Sequence, residues 1–183
     1  MKIESTTLPG CFLLQPDVRE DARGRFVKPF NRAWFQQNGL DHAFEEVFYS
    51  VSHRGVLRGL HFQTPPHEHA KLVYCMAGRA FDVLLDIRVG SPTEGRHACF
   101  ELSAVQGNML YMPPGIAHGF CALSDDVRMV YQTTSAHEPA SDQGILWNTA
   151  GIRWPDMPHT VSDRDQAFAA YADFSSPFRY RAG

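Results

Sequence analysis

Apolar and polar residues alternate in short runs along this chain and never settle into a long helical period. Ten runs read as strands: Cys11–Gln15, Phe26–Phe30, Glu45–Ser52, Val56–Phe62, Lys71–Met76, Ala80–Ile87, His97–Leu102, Asn108–Met112, Gly119–Leu123 and Arg128–Thr134. In a strand, successive side chains point to opposite faces, so each run offers one row to a core and one row outward. Turn residues separate many of them, at Ala77-Gly78, Gly90-Ser91-Pro92, Gln106-Gly107, Pro113-Pro114-Gly115 and Ser124-Asp125-Asp126. Many short strands with Gly and Pro turns predict an all-β sandwich or barrel. Two short helices are expected beside it. Asn31 can cap Arg32–Asn38, with Gly39 closing it. Ser162-Asp163-Arg164-Asp165 has the form of a capping box ahead of Gln166–Tyr171. The segment Pro139–Pro158 carries Trp147 and Trp154 without a clear period and reads as irregular cover.

The 183 residues fit a single domain, 1–183, and 44% hydrophobic content can fill its core. A net charge of −3 gives no sign of a nucleic-acid partner. No apolar stretch reaches the ~18 residues of a membrane span, and the first residues lack the pattern of a signal peptide. Cys11, Cys75, Cys99 and Cys121 are widely spaced with no CxxC, so free thiols in a reducing cytoplasm are expected. Lysine occurs only at Lys2, Lys28 and Lys71. The other basic side chains are arginines, whose planar fork suits a diphosphate.

Three segments carry the chemistry: RGVLRGLHFQ at Arg54–Gln63, HAKLVY at His69–Tyr74 and PPGIAHGF at Pro113–Phe120. They place His61 and Lys71 on successive predicted strands, and His118 at the entrance of a later one. A lysine between Ala70 and Leu72 is unusual on an inward face and needs a partner there. Tyr131 shares one strand face with Val127, Met129 and Thr133. Together these segments closely resemble the dTDP-4-dehydrorhamnose 3,5-epimerases, cofactor-free cupin enzymes of deoxysugar synthesis, from about Leu8 to Phe168. The resemblance implies a cupin double-stranded β-helix, a jelly-roll barrel with short peripheral helices. It also implies a homodimer pairing through N-terminal strands. The implied reaction is epimerisation at C3 and/or C5 of a nucleotide-diphospho-4-keto-6-deoxyhexose, with no cofactor.

Such a reaction needs a base for the α-proton, a positive group or donor for the enolate oxygen, and an acid on the opposite face. The resemblance assigns the base to His61, the acid to Tyr131 of VYQTT, and the orientation of the histidine to Asp165 of VSDRD. Lys71 falls where the enolate oxygen would be stabilised. Arg23, Arg58 and His118 match family residues that contact the diphosphate or sugar. Alternation puts Arg58 on the opposite face from His61, so a shared pocket requires a kink, which Gly59 can supply.

The departures from the family pattern cluster at nucleotide recognition. RGFFxE becomes RGRFVK, which sets Arg25 for a phenylalanine and Lys28 for a glutamate. The QxN pair becomes Glu46 and Phe48. The thymine-stacking tyrosine becomes His137, a turn glutamate becomes Asp142, and a late lysine becomes Arg164. The charge reversals at Lys28 and Glu46 change which hydrogen bonds the site can offer. The departures therefore suggest the same reaction on a different nucleotide sugar, such as a CDP- or GDP-linked one, or on a different deoxysugar, with dTDP, CDP and GDP all left open.

Gly107, Pro113, Gly115 and His118 also have the spacing of the second cupin motif, whose histidine binds a metal in other cupins. His67 and His69 fit half of the first motif, but its carboxylate is missing and Lys71 stands seven residues before Gly78. A lysine ammonium beside a divalent cation is unfavourable, so no metal is expected, with a three-histidine zinc site as the alternative. A sugar 3,4-ketoisomerase, a metal-dependent dioxygenase and a non-catalytic sugar-binding cupin are the competing functions.

Overall fold

The computed structural model describes residues 1–181. In chain order the strands are β1 (Lys2–Ser5), β2 (Phe12–Gln15), β3 (Val18–Asp21), β4 (Gly24–Val27), β5 (Glu46–Ser52), β6 (Val56–Gln63) and β7 (Lys71–Ala77). They continue as β8 (Arg79–Asp86), β9 (His97–Ser103), β10 (Met109–Met112), β11 (Ile116–Ala122), β12 (Val127–Thr133), β13 (Asp142–Gly144) and β14 (Thr160–Val161). Helix α1 is Arg32–Gln37 and α2 is Asp163–Gln166. Two sheets face each other. One runs β1-β2-β10-β7-β12-β5 and the other β13-β6-β11-β8-β9, while β3 and β4 form a separate hairpin. All pairings are antiparallel except that of β14 with β6.

Between the sheets lies one core, which includes Val73, Leu84, Leu110, Ile116, Phe120 and Met129. The outer face of each sheet is covered by a satellite core. Phe35 of α1 packs with Leu14, Leu72, Met109 and Tyr111 on the first sheet. Leu60, Leu85, Ile145 and Phe178 pack on the second, under the C-terminal segment. Burial of these rows at about 25 cal/mol per Å² is the main drive for folding. Asn31 starts α1 by accepting the Trp34 N–H at 3.1 Å.

Local departures from expectation have physical causes. Phe26–Phe30 is displaced to β4, because Pro29 has no N–H to give a ladder. The second helix is a single turn over Asp163–Gln166 instead of Gln166–Tyr171. Ser162 does accept the Asp165 N–H at 3.1 Å, so the cap is real. The capping box is not completed, since both Asp165 oxygens are engaged with β6. Within Pro139–Pro158 the short strand β13 extends the second sheet beside His61.

The kink expected at Gly59 is present as a bulge. His118 pairs with His61 and Phe120 with Arg58, so two steps along β11 match three along β6. The extra residue turns Arg58 onto the His61 face. Gly59 has φ +139°, and a Cβ there would lie 2.6 Å from Gly119 Cα. We expect Gly59→Ala to destabilise the fold by about 2–4 kcal/mol and to lower the melting midpoint by roughly 5–10 °C. Calorimetry checks this, and an unchanged midpoint would mean that β6 and β11 have room to part.

Candidate active site

The inner faces of the two sheets open into a cavity of about 420 Å³. Its lining includes His61, Arg58 and His118 from one sheet, and Glu46, Phe48, Ser50, Lys71 and Tyr131 from the other. His137, Asp142 and Arg164 stand in its wall as well. Strand alternation and the bulge are what bring these side chains together.

On one wall, His61 Nε2 lies 2.9 Å from Asp165 Oδ1, and the Gly59 N–H donates to Asp165 Oδ2 at 3.0 Å. Burial alone would raise the Asp165 carboxyl, but hydrogen bonds from His61 and Gly59 and the attraction of the imidazole hold it below the usual carboxylate range. An ionised carboxylate only accepts, so Nε2 carries the proton and Nδ1 is left as the basic nitrogen. Beside it, His118 Nε2 donates to both oxygens of Asp82, at 2.9 and 3.0 Å. Asp82 is fully buried. Burial pushes its carboxyl up, and His118 and Lys71 pull it back in part. Asp82 was not singled out from sequence. Its signal was a carboxylate inside the apolar run Ala80–Ile87, a residue type that is almost never fully buried without a partner.

On the facing wall, Lys71 is buried and its ammonium donates to the His61 carbonyl at 3.2 Å. Burial lowers its pKa to about 8, against the pull of Asp142 and Asp82. Tyr131 is 9% exposed. Burial raises its phenol well above the ordinary value, so it stays protonated and able to donate. The phenol oxygen is 3.4 Å from Ser50 Oγ.

At the cavity mouth Arg164 pairs with Asp142 at 2.7 Å, and His137 Nδ1 is 3.9 Å from the same carboxylate. Glu46 accepts the His137 backbone N–H at 3.1 Å. Arg58 is held by Ser52 Oγ at 3.1 Å. Arg23 and Lys28 are not brought to this cavity within the chain. Both are exposed at the β3–β4 hairpin and just after it, and Arg23 pairs with Asp21 at 2.6 Å.

The histidines of the cupin spacing do not converge. His67 is exposed. His69 Nδ1 is 3.2 Å from Ser135 Oγ, and burial with nearby Lys71 depresses its pKa to about 3. His118 is committed to Asp82. Among the described residues no group of three or more His, Cys, Asp or Glu side chains is placed to hold a metal ion.

An imidazole held by a carboxylate, a buried ammonium and a neutral phenol thus line one cavity, groups of the kind that epimerisation beside a ketone can use. The family model of dTDP-4-dehydrorhamnose 3,5-epimerase matches residues 5–173. The chain belongs to this epimerase family. It is 40% identical over 168 residues to the dTDP-4-dehydrorhamnose 3,5-epimerase of Shigella flexneri, covering 90% of this chain and 93% of that protein. The Neisseria gonorrhoeae enzyme of the same name is 44% identical over 94% of this chain, which spans only 53% of that relative's length. A solved structure of dTDP-6-deoxy-D-glucose-3,5-epimerase from Legionella pneumophila, in complex with dTDP-4-keto-L-rhamnose, superposes with a TM-score of 0.94. It is 32% identical and covers 99% of both chains. The barrel is thus the epimerase family's cupin-type fold, as the resemblance implied.

Proposed function

We propose that this chain epimerises a dTDP-linked 4-keto-6-deoxyhexose by proton transfer alone. His61 Nδ1 takes the proton from the carbon next to the ketone. The bond's electron pair moves onto the ketone oxygen, and Lys71 stabilises the resulting enolate. Tyr131 returns a proton from the opposite wall, which inverts the carbon. The 4-keto group activates C3 and C5 alike, so one set of groups can serve either carbon. Asp165 fixes the His61 tautomer, and Asp82 orients His118 toward the sugar or diphosphate, where Arg58 adds charge. No electron leaves or enters the sugar, so the three groups suffice.

The observation that carries this reading is the placement of His61 and Tyr131 on facing walls of one cavity, with Lys71 beside them. The relatives named above support the dTDP-linked substrate. Incubation with dTDP-, CDP- and GDP-4-keto-6-deoxyhexoses in deuterated water, followed by NMR at C3 and C5, is the test. Deuterium should enter the dTDP sugar with inversion. Exchange only in a CDP or GDP sugar would move the substrate to that nucleotide, in keeping with Glu46 and His137 at the mouth. No exchange in any of them would overturn the enzymatic reading.

The working unit is a homodimer in a reducing cytoplasm. Strand β5 ends its sheet, and its outward Val47, Tyr49 and Val51 are exposed, as are Phe26 and Val27 on the β3–β4 hairpin. A row of exposed apolar side chains on an edge strand invites a second chain. Light scattering at micromolar concentration should give twice the 20.6 kDa of one chain. A monomer mass would remove the dimer.

A further inference from the structure

We propose that Phe48 is a positioning residue for Tyr131, holding the phenol where it can protonate the enolate. This rests on the acid role given to Tyr131 above. Phe48 of β5 is directly opposite Tyr131 of β12 in the register. Their rings are stacked, with centroids 4.9 Å apart and planes 14° from parallel. The ring also meets His118 in a T-shaped contact, with centroids 6.0 Å apart. Its hydroxyl touches Ser50, one alternation further along the same strand. The ring is therefore clamped from one side by a flat partner, while Phe48 itself is 46% exposed. So large a surface left open brings little burial to the core, which sets Phe48 apart from a residue that serves stability.

The chemical need is specific. A proton must be delivered along a line to one carbon, and a displacement of about 1 Å in a catalytic group can cost on the order of 10²-fold. Tyrosine turns about two side-chain bonds. Without Phe48, the face of the ring that it covers opens to the cavity, and the flat restraint on the phenol's turning is lost. A flat stacked neighbour restricts that turning without competing for the phenol proton. In this chain, then, an aromatic ring on β5 takes up the alignment of the acid.

The test separates exchange from inversion. Wild type, Phe48→Ala, Phe48→Tyr and Tyr131→Phe are each turned over in deuterated water with the substrate that exchanges best. Total deuterium entry and the inverted fraction are read by NMR, together with KM and the melting midpoint. Phe48→Ala should keep total deuterium entry within about twofold of wild type while the inverted fraction falls about tenfold, the scale of one aromatic pair. Phe48→Tyr, which keeps a flat ring, should restore inversion. A parallel fall of entry and inversion, a change in KM alone, or wild-type inversion in Phe48→Ala would each overturn the proposal. Tyr131→Phe guards the reading beneath it. Loss of inversion there with none in Phe48→Ala sinks only the positioning role, whereas full inversion in Tyr131→Phe removes the acid and the proposal with it.

Discussion

His61→Ala should stop deuterium entry at both C3 and C5, with a loss on the order of 10²–10⁴ in rate, the usual worth of a general base. Tyr131→Phe should behave differently. The phenyl ring keeps the stack with Phe48 but has no proton to give. The enolate still forms and is reprotonated by His61 on its original face, so deuterium enters with configuration retained. The contrast follows from geometry. His61 and its Asp165 partner stand on the β6 wall, and Tyr131 stands on the facing β12 wall. NMR of recovered substrate reads both quantities at once. Wild-type inversion by His61→Ala would sink the base assignment. Equal loss of entry in both variants would leave the base and remove the acid.

Lys71→Met should lower kcat/KM by about 10²–10³, as expected when one stabiliser of a developing oxyanion is removed. It should not harm the fold. Exchanging a buried ammonium for an apolar chain of similar length relieves a desolvation cost, so the melting midpoint should hold or rise. The same lysine sets a pH limit. Its pKa sits at about 8, below the ordinary lysine value, so it is charged below pH 8 and neutral above. The charged form is the one that stabilises an enolate. In wild type kcat/KM should therefore fall as pH rises through about 8, and in Lys71→Met that alkaline limb should vanish. A limb that persists unchanged in the variant would assign it to another group.

The barrel was legible in the sequence because its central strands are short apolar-rich runs, many of them separated by Gly and Pro turns. The strands that escaped notice are β1, β3, β13 and β14, which are too short to display a period. Candidate site residues stood out where a motif marked them, as with His61, Lys71 and Tyr131, and the structure brings these candidates into one cavity. Arg58 needed more than alternation. Its place on the His61 face depends on one extra residue at Gly59, which pairing makes visible and a linear pattern does not. Asp82 was missed because its partner His118 is on a neighbouring strand and 36 residues away. The stack of Phe48 on Tyr131 was hidden for a similar reason. The two rings are 83 positions apart only in number, since β5 and β12 lie side by side.

Strand β5 also has a bearing on how this chain can change. Glu46, Phe48 and Ser50 look into the cavity, while Val47, Tyr49 and Val51 look away from it. Period two thus writes two messages in one heptapeptide, interleaved letter by letter. A mutational library confined to positions 46, 48 and 50 would reshape the cavity wall and leave the exposed apolar row intact. One confined to 47, 49 and 51 would do the reverse. An insertion or deletion of a single residue within β5 would exchange the two rows, turning the apolar set into the cavity and the cavity set outward.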